Sequence, residues 1–353
     1  MGLFRVLLAL SVVMSHFIKW DAPFYRGFGG TTSVEIFFLV SGFYIALILD
    51  QSYKSKKLFY INRILRLYPI YLIVCFVVLL VSLFRTGVAE NLFDYSPLVL
   101  SVSTFSNLTL IGTDWLMFFD TANGGIHFTS SVLSGDRMQD LLWVPPAWSL
   151  GIEITFYAFA PLLCKLRSRF LVLSVGLIVL LKIIFHHSSL NFSDSPFDVR
   201  FFPFELPFFL VGIILYRLKR DSKSDFKIPL RYLYPFLIIS FVAFDFIRQE
   251  LNLSRATSMA ILIIIASIVT LFGEHSKSDR KFGELSFPIY ISHTLVSQIY
   301  GFVITGATKQ FPILGNNAIS VWIQVLAVFI VSYVLLQITK PVERFRDKNR
   351  ILN

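Results

Sequence analysis

Long apolar blocks, each roughly 17–22 residues, recur along the chain and are separated by short polar segments. They lie at 3–19, 33–50, 64–84, 147–165, 169–186, 200–217, 231–247, 256–273, 286–305 and 318–339. A helix of about 20 residues spans the roughly 30 Å hydrocarbon core of a bilayer. The pattern therefore predicts an all-α polytopic membrane protein of about ten transmembrane helices. Three blocks are irregular: 200–217 carries Pro203, Glu205 and Pro207, 169–186 carries Lys182, and 231–247 ends near Asp245. Residues 1–19 have the apolar run of a signal peptide, but no small-residue cleavage site follows, so they are read as a retained first helix.

The basic residues between the blocks give a direction. With the amino terminus in the cytoplasm, one set of loops holds Lys54 to Arg66, Lys165 to Arg169, Arg217 to Arg231, Lys277 to Lys281 and Lys340 to Arg350. The opposite loops hold few: Lys19, Arg26, Arg85, Arg137, Arg200, Arg248, Arg255 and Lys309. This asymmetry follows the positive-inside rule, and an even number of spans places both termini in the cytoplasm. Composition agrees: 55% of residues are hydrophobic, only 15% are charged, and the mean hydropathy is +0.69. A net charge of +10 could suggest nucleic acid, but the charges flank membrane spans, so no nucleic-acid partner is expected. Cys75 and Cys164 sit inside apolar blocks, which excludes a disulfide framework and a Cys-based metal site. No metal is expected elsewhere.

The organisation is a single transmembrane domain, 1–340, followed by a basic cytoplasmic tail, 341–353. Residues 85–146 form a long extracytoplasmic loop. It has a polar stretch at Ser101–Asn107, an apolar run at Leu108–Phe119 too short to span but able to dip into the membrane, and a Gly/Ser-rich part at Asn123–Gly135. Loops of this length are usually functional or disordered. Asn107, Asn191 and Asn252 stand in N-x-S/T sequons, too common a pattern to carry weight.

Ionisable residues inside spans are candidates for function, because a charge in a bilayer costs several kcal/mol. Arg5 and His16 are 11 residues apart, about 1100° of helix or about 20° past three turns, so they share a face about 16 Å apart. Ala9 and Val12 lie between them and leave a lane. The plainer reading, a flanking Arg and an interfacial His, weighs equally on this pair alone. Glu35 stands level with His16 on the second block, whose face continues through Leu39, Gly42 and Ala46 and allows close helix approach. A carboxylate beside an imidazole fixes its tautomer, as a general base requires. Arg63 and Arg66 share a face at the cytoplasmic edge. Guanidiniums there suit phosphate, although flanking or lipid head-group binding explains them more simply. The fourth block opens on Trp148 and places Ser149, Glu153 and Tyr157 on one face. The ninth carries a polar stripe of Ser286, Tyr290, His293, Ser297 and Tyr300, in which a hydrogen-bonded structural role is the leading reading for His293. Lys182 and Asp245 are expected to snorkel.

Five fragments taken in order resemble the acyltransferase-3 family of membrane acyltransferases: RVLLALSVVMSH, SVEIFFLVSGF, RILRLYP, WSLGIEITFY and FPIYISH. The resemblance spans nearly the whole chain. It implies transfer of an acyl group, usually acetyl, from cytoplasmic acyl-CoA to a sugar hydroxyl of an extracytoplasmic glycan such as O-antigen, capsule or exopolysaccharide. Acetyl-CoA would be a donor substrate, with no permanently bound cofactor. Membrane lipid and a glycan or lipid-linked glycan would be the other partners, and a bacterial cytoplasmic (inner) membrane the location. The family's Arg and His fall on Arg5 and His16, and its R-x-x-R on Arg63 and Arg66. Many relatives have Asp where this chain has Glu35, and a second acid where it has Ile154. On this reading Arg5, Arg63 and Arg66 hold acyl-CoA, His16 and Glu35 are catalytic, and Trp148, Ser149, Glu153, Tyr157 and His293 shape the acceptor side or serve the structure around it. A transporter or flippase for lipid-linked sugars, or a glycan polymerase, fits the spans and the long loop as well. Neither explains why Arg5 and His16 align along one helix.

Overall fold

The computed structural model describes residues 1–17, 26–51, 55–83, 95–129, 137–187, 197–223, 226–274, 276–307 and 317–351. The sequon at Asn191, the Gly/Ser-rich residues 130–135 and the loop cations Lys19, Lys54, Arg85 and Lys309 lie outside them. The helices are α1 (Gly2–Phe17), α2 (Gly30–Gln51), α3 (Lys56–Leu83), α4 (Pro97–Thr109), α5 (Ala147–Leu163), α6 (Ser168–His186) and α7 (Phe197–Arg200). They continue as α8 (Phe202–Asp221), α9 (Leu230–Glu250), α10 (Arg255–Phe272), α11 (Lys277–Glu284), α12 (Ser286–Ala307) and α13 (Asn317–Ile351). Every predicted apolar block falls on one of these helices, and the protein is an all-α membrane protein. Among the described residues, seven candidate spans, on α2, α3, α6, α7–α8, α9, α10 and α13, are long and apolar enough to cross a bilayer; α1 and α5 are apolar but shorter. The basic tail continues α13 as helix through Pro341 to Ile351.

The chain divides into two compact units. The first joins Met1–Tyr44 to Leu215–Lys348. At its centre α1 packs on α12, α11 and α9, and most of its side chains are buried, from Leu3 to Met14. A helix apolar on every side belongs inside a bundle. Asp279 of α11 fixes its start: its carboxylate accepts from the backbone amides of Gly2 (2.8 Å) and Leu3 (3.1 Å), from the Met1 nitrogen (2.8 Å) and from the Tyr234 hydroxyl (2.9 Å). Orphan N–H groups at a helix start favour such an anion. Burial opposes ionisation of Asp279, yet these bonds hold its carboxyl below the ordinary aspartate value. Gly2 and Gly283 meet where α1 and α11 touch; a Cβ on Gly283 would lie 2.8 Å from the Gly2 Cα. At the other end, the Ser11 hydroxyl accepts from the Phe28 amide (3.0 Å), which seats the turn before α2 on α1. Asp245 does not snorkel. It is buried, accepts from Arg248 (2.7 Å) and Gln249 (3.2 Å), and receives the Arg26 amide (3.3 Å). Groups that can bond to protein gain nothing by reaching for water.

The second unit is built from Ile45–Ile214 with Asn349–Asn353. Here α6 leaves nearly all its side chains exposed, Leu171 being its buried residue. In water that surface would be a liability; it is the kind of surface that lipid covers. Part of the predicted outer loop is folded. Val99, Leu116, Met117, Phe118, Met138, Leu142 and Phe197 form a small core of their own, roofed by a short hairpin of β1 (Phe119–Asp120) on β2 (His127–Phe128). Asn107 is its hub: its amide donates to Ser103 (2.8 Å) and Leu141 (2.9 Å) carbonyls and accepts from the Trp143 amide (2.9 Å). The Asn107 side chain is wholly buried, which closes that sequon to glycosylation. The run Leu108–Phe119 is the end of α4, a turn, a 3₁₀ helix and the start of β1. Tyr68 and Tyr71 of α3 donate to the carbonyls of Thr109 and Asn107, so the end of α4 rests against the middle of α3.

Lys182 also differs from expectation. Its ammonium lies 3.7 Å from Asp198 and 3.6 Å from Glu205, a carboxylate with no exposed surface. The charged residues that made blocks 169–186 and 200–217 look irregular are therefore partners of one another.

Candidate functional site

His16 stands near the C-terminal end of α1 with its ring exposed. Its ring neighbour is His293 of α12, with centroids 4.9 Å apart and planes inclined at 42°. His293 has no exposed surface. Its Nδ1 lies 2.6 Å from the Tyr290 carbonyl. A carbonyl only accepts, so the proton is on Nδ1 and Nε2 keeps its lone pair. That Nε2 is buried and meets no hydrogen-bond partner among the described residues. The polar stripe on α12 is inward at Ser286, Tyr290 and His293, while Ser297 is exposed.

Glu35, expected beside His16, is buried and accepts at Oε1 from Arg255 Nη2 at 2.8 Å. Arg255 opens α10, 220 positions along the chain, and its charge had been assigned to an outer loop. At the opposite end of α1, the Arg5 guanidinium lies over the Tyr44 ring at 5.9 Å. Lys219 lies over Phe43 at 5.7 Å and donates to the Thr270 carbonyl (2.8 Å). Sequence reasoning counted Lys219 only as a flanking charge; the basic cluster Arg217–Arg220 was the available clue.

The second unit holds the other candidates. Arg63 is buried, 6.0 Å from each of the Phe59 and Tyr157 ring centroids. The Tyr157 hydroxyl donates to Glu153. These three form one chain, Arg63–Tyr157–Glu153, while Arg66 is half-buried. Ser149 donates to the Pro146 carbonyl (3.0 Å) and so serves the start of α5. The Trp148 ring is covered by the Arg200 guanidinium at 5.3 Å. The candidates thus fall in two groups: Arg5, His16, Glu35 and His293 in the first unit, and Arg63, Arg66, Trp148, Ser149, Glu153 and Tyr157 in the second. Among the described residues, no group of three or more His, Cys, Asp or Glu could hold a metal ion.

Asp114 was not singled out from sequence. It precedes the 3₁₀ helix Trp115–Phe118, is buried, and packs where Gly151 lacks a side chain; a Cβ there would lie 2.8 Å from its Oδ1. Burial raises its pKa from 3.8 to about 6, against the bonds from its own amide and that of Trp115. A folded value above the unfolded one means stability is lost as pH rises from 3.8 to about 6. Asp114→Asn mimics the protonated form. It is expected to raise the unfolding temperature above pH 6, worth up to about 3 kcal/mol, and to match wild type near pH 4. Equal unfolding curves at pH 7.5 would remove Asp114 as a titrating group.

A family model described as an acyltransferase domain, of the acyltransferase-3 type, matches residues 1–339. An uncharacterized protein of Aquifex aeolicus (strain VF5) is 33% identical over 165 residues, covering 45% of this chain and 73% of that one. A protein of Acidianus two-tailed virus named "Putative acetyltransferase ORF330" is 25% identical over 284 residues, 78% of this chain and 75% of its own. No solved structure matches the chain.

Proposed function

The chain belongs to the acyltransferase-3 family, and from that premise we propose that this integral membrane acyltransferase carries an acetyl group from cytoplasmic acetyl-CoA to a sugar hydroxyl of an extracytoplasmic glycan. A bacterial cytoplasmic membrane is the proposed setting. The observation that supports this reading is the first helix: Arg5 at one end, His16 at the other, and an enclosed imidazole against His16. Arg5 in the first unit, and Arg63 and Arg66 in the second, are each proposed as contacts to phosphates of the donor, since guanidinium forks match phosphate oxygens.

At the outer end His16 takes the proton of the acceptor hydroxyl as its oxygen attacks the thioester carbon. The C–O bond forms, the C–S bond breaks, and the proton passes from His16 to the departing sulfur, giving ester and free CoA. Glu35, which accepts from Arg255, is the proposed counter-charge for the imidazolium. Trp148, Glu153 and the folded outer segment shape the acceptor side.

The test uses radiolabelled acetyl-CoA in sealed membrane vesicles of known orientation that carry the native glycan. Label is expected in glycan on the side opposite the donor, and Arg66→Ala is expected to raise the KM for acetyl-CoA about tenfold or more through a lost phosphate contact. If correctly inserted wild type transfers nothing and lipid-linked glycan crosses or lengthens without any donor, the chain is a transporter or polymerase instead.

A further inference from the structure

We propose that His293 is a positioning residue of the acyl-transfer site, whose Nε2 receives the hydrogen bond of His16 while His16 carries the acceptor's proton. The inference rests on the acyl-transfer reading given above and adds to it a second imidazole with a defined tautomer.

Three observations carry it. First, the Tyr290 carbonyl pins the proton of His293 to Nδ1, so its Nε2 can only accept. Second, that Nε2 is buried without a partner among the described residues. A lone pair left so in a protein interior costs about 1–3 kcal/mol, and such groups in native structures call for an explanation. A purely structural histidine would be satisfied at both nitrogens or would point one at water. Third, the ring beside it is His16, at 4.9 Å between centroids. His16 is exposed at the end of its helix, whereas His293 is enclosed and held by the Tyr290 carbonyl.

The consequence is a division of labour. When the acceptor hydroxyl gives its proton to one nitrogen of His16, both ring nitrogens of His16 become donors. One faces the reacting oxygen and later returns the proton to sulfur. The other points at His293 Nε2, a neutral acceptor already in place. His293 gains no proton and loses none; it fixes the angle at which His16 meets the hydroxyl and stabilises the transient imidazolium. An acceptor preorganised for a charge that develops only during reaction acts on the transition state and not on donor binding.

The experiment compares His293→Phe, His293→Gln and His293→Asn in the full-length protein in its own membranes, with labelled acetyl-CoA and the native glycan. Gln places an amide oxygen where Nε2 stood, and Asn places polar atoms where Nδ1 stood. Phe is expected to lower kcat about a hundredfold with the KM for acetyl-CoA unchanged. Gln is expected to recover most of that loss, and Asn, which keeps only the Tyr290 contact, to stay as low as Phe. The inference is overturned if Asn recovers as well as Gln, since the residue then serves only Tyr290. It is overturned equally if Phe leaves kcat within about twofold of wild type, or if all three variants fall together with a lowered unfolding temperature. Absence of transfer from wild type would instead remove the acyl-transfer reading itself, and this inference with it.

Discussion

His16→Ala is expected to lower acyl transfer by about 10²–10⁴-fold, the usual contribution of a general base. The loss should fall on kcat. The proposed phosphate contacts are at the other end of α1, where Arg5 lies over Tyr44, so the KM for acetyl-CoA should stay within about twofold. The side chain is exposed, and its removal leaves the packing of α1 on α11 and α12 intact, so thermal unfolding in detergent should be unchanged. Steady-state transfer at several donor concentrations separates the possibilities. A raised KM at constant kcat would make His16 a binding residue. A lowered unfolding temperature would make it a structural one.

The second large effect is on stability. Lys182→Met removes the ammonium that stands between Asp198 and Glu205. Glu205 has no exposed surface, so its charge loses a close partner without gaining water. Breaking a buried ion pair from one side typically costs about 3–5 kcal/mol. The doubly substituted Lys182→Met, Glu205→Leu protein should recover most of this, because a well-packed apolar pair replaces a buried ionic one at little cost. Thermal unfolding of purified protein in one detergent reads both. An unchanged midpoint for Lys182→Met would show that Glu205 is held by its other neighbours alone.

The helices were legible because a bilayer imposes one length on every crossing, and the sequence repeats that length from 3–19 to 318–339. What flanks the spans was less so. Lys182, Asp245 and Arg255 look alike in sequence, single charges near the end of an apolar run, and were expected to reach water. All three bond to protein. Whether such a charge meets water or a partner depends on which helices are neighbours, and apolar patterning does not encode that. The same limit applies to the site. Helical geometry aligned Arg5 with His16 because both are on one helix. It gave no means of finding that His293, 277 positions later, would supply the ring beside His16. It likewise placed Arg63 at a membrane edge, whereas the structure encloses it between the rings of Phe59 and Tyr157. The folded outer segment was seen only as a long loop, since its core is made of scattered single residues with no period to detect.

The enclosure of α1 has a consequence for biosynthesis. Helix α1 is covered by α9, α11 and α12, which are made more than 200 residues later. The second unit, by contrast, lies in one segment, Ile45–Ile214, apart from Asn349–Asn353, and that segment is made before α9, α11 and α12. Domains form in the order of synthesis when their contacts are local. Assembly of this protein therefore begins in the middle of the chain. The amino-terminal helix waits in the membrane as an unfinished half of its unit, and any ribosome that stops before α12 leaves His16 without its companion ring.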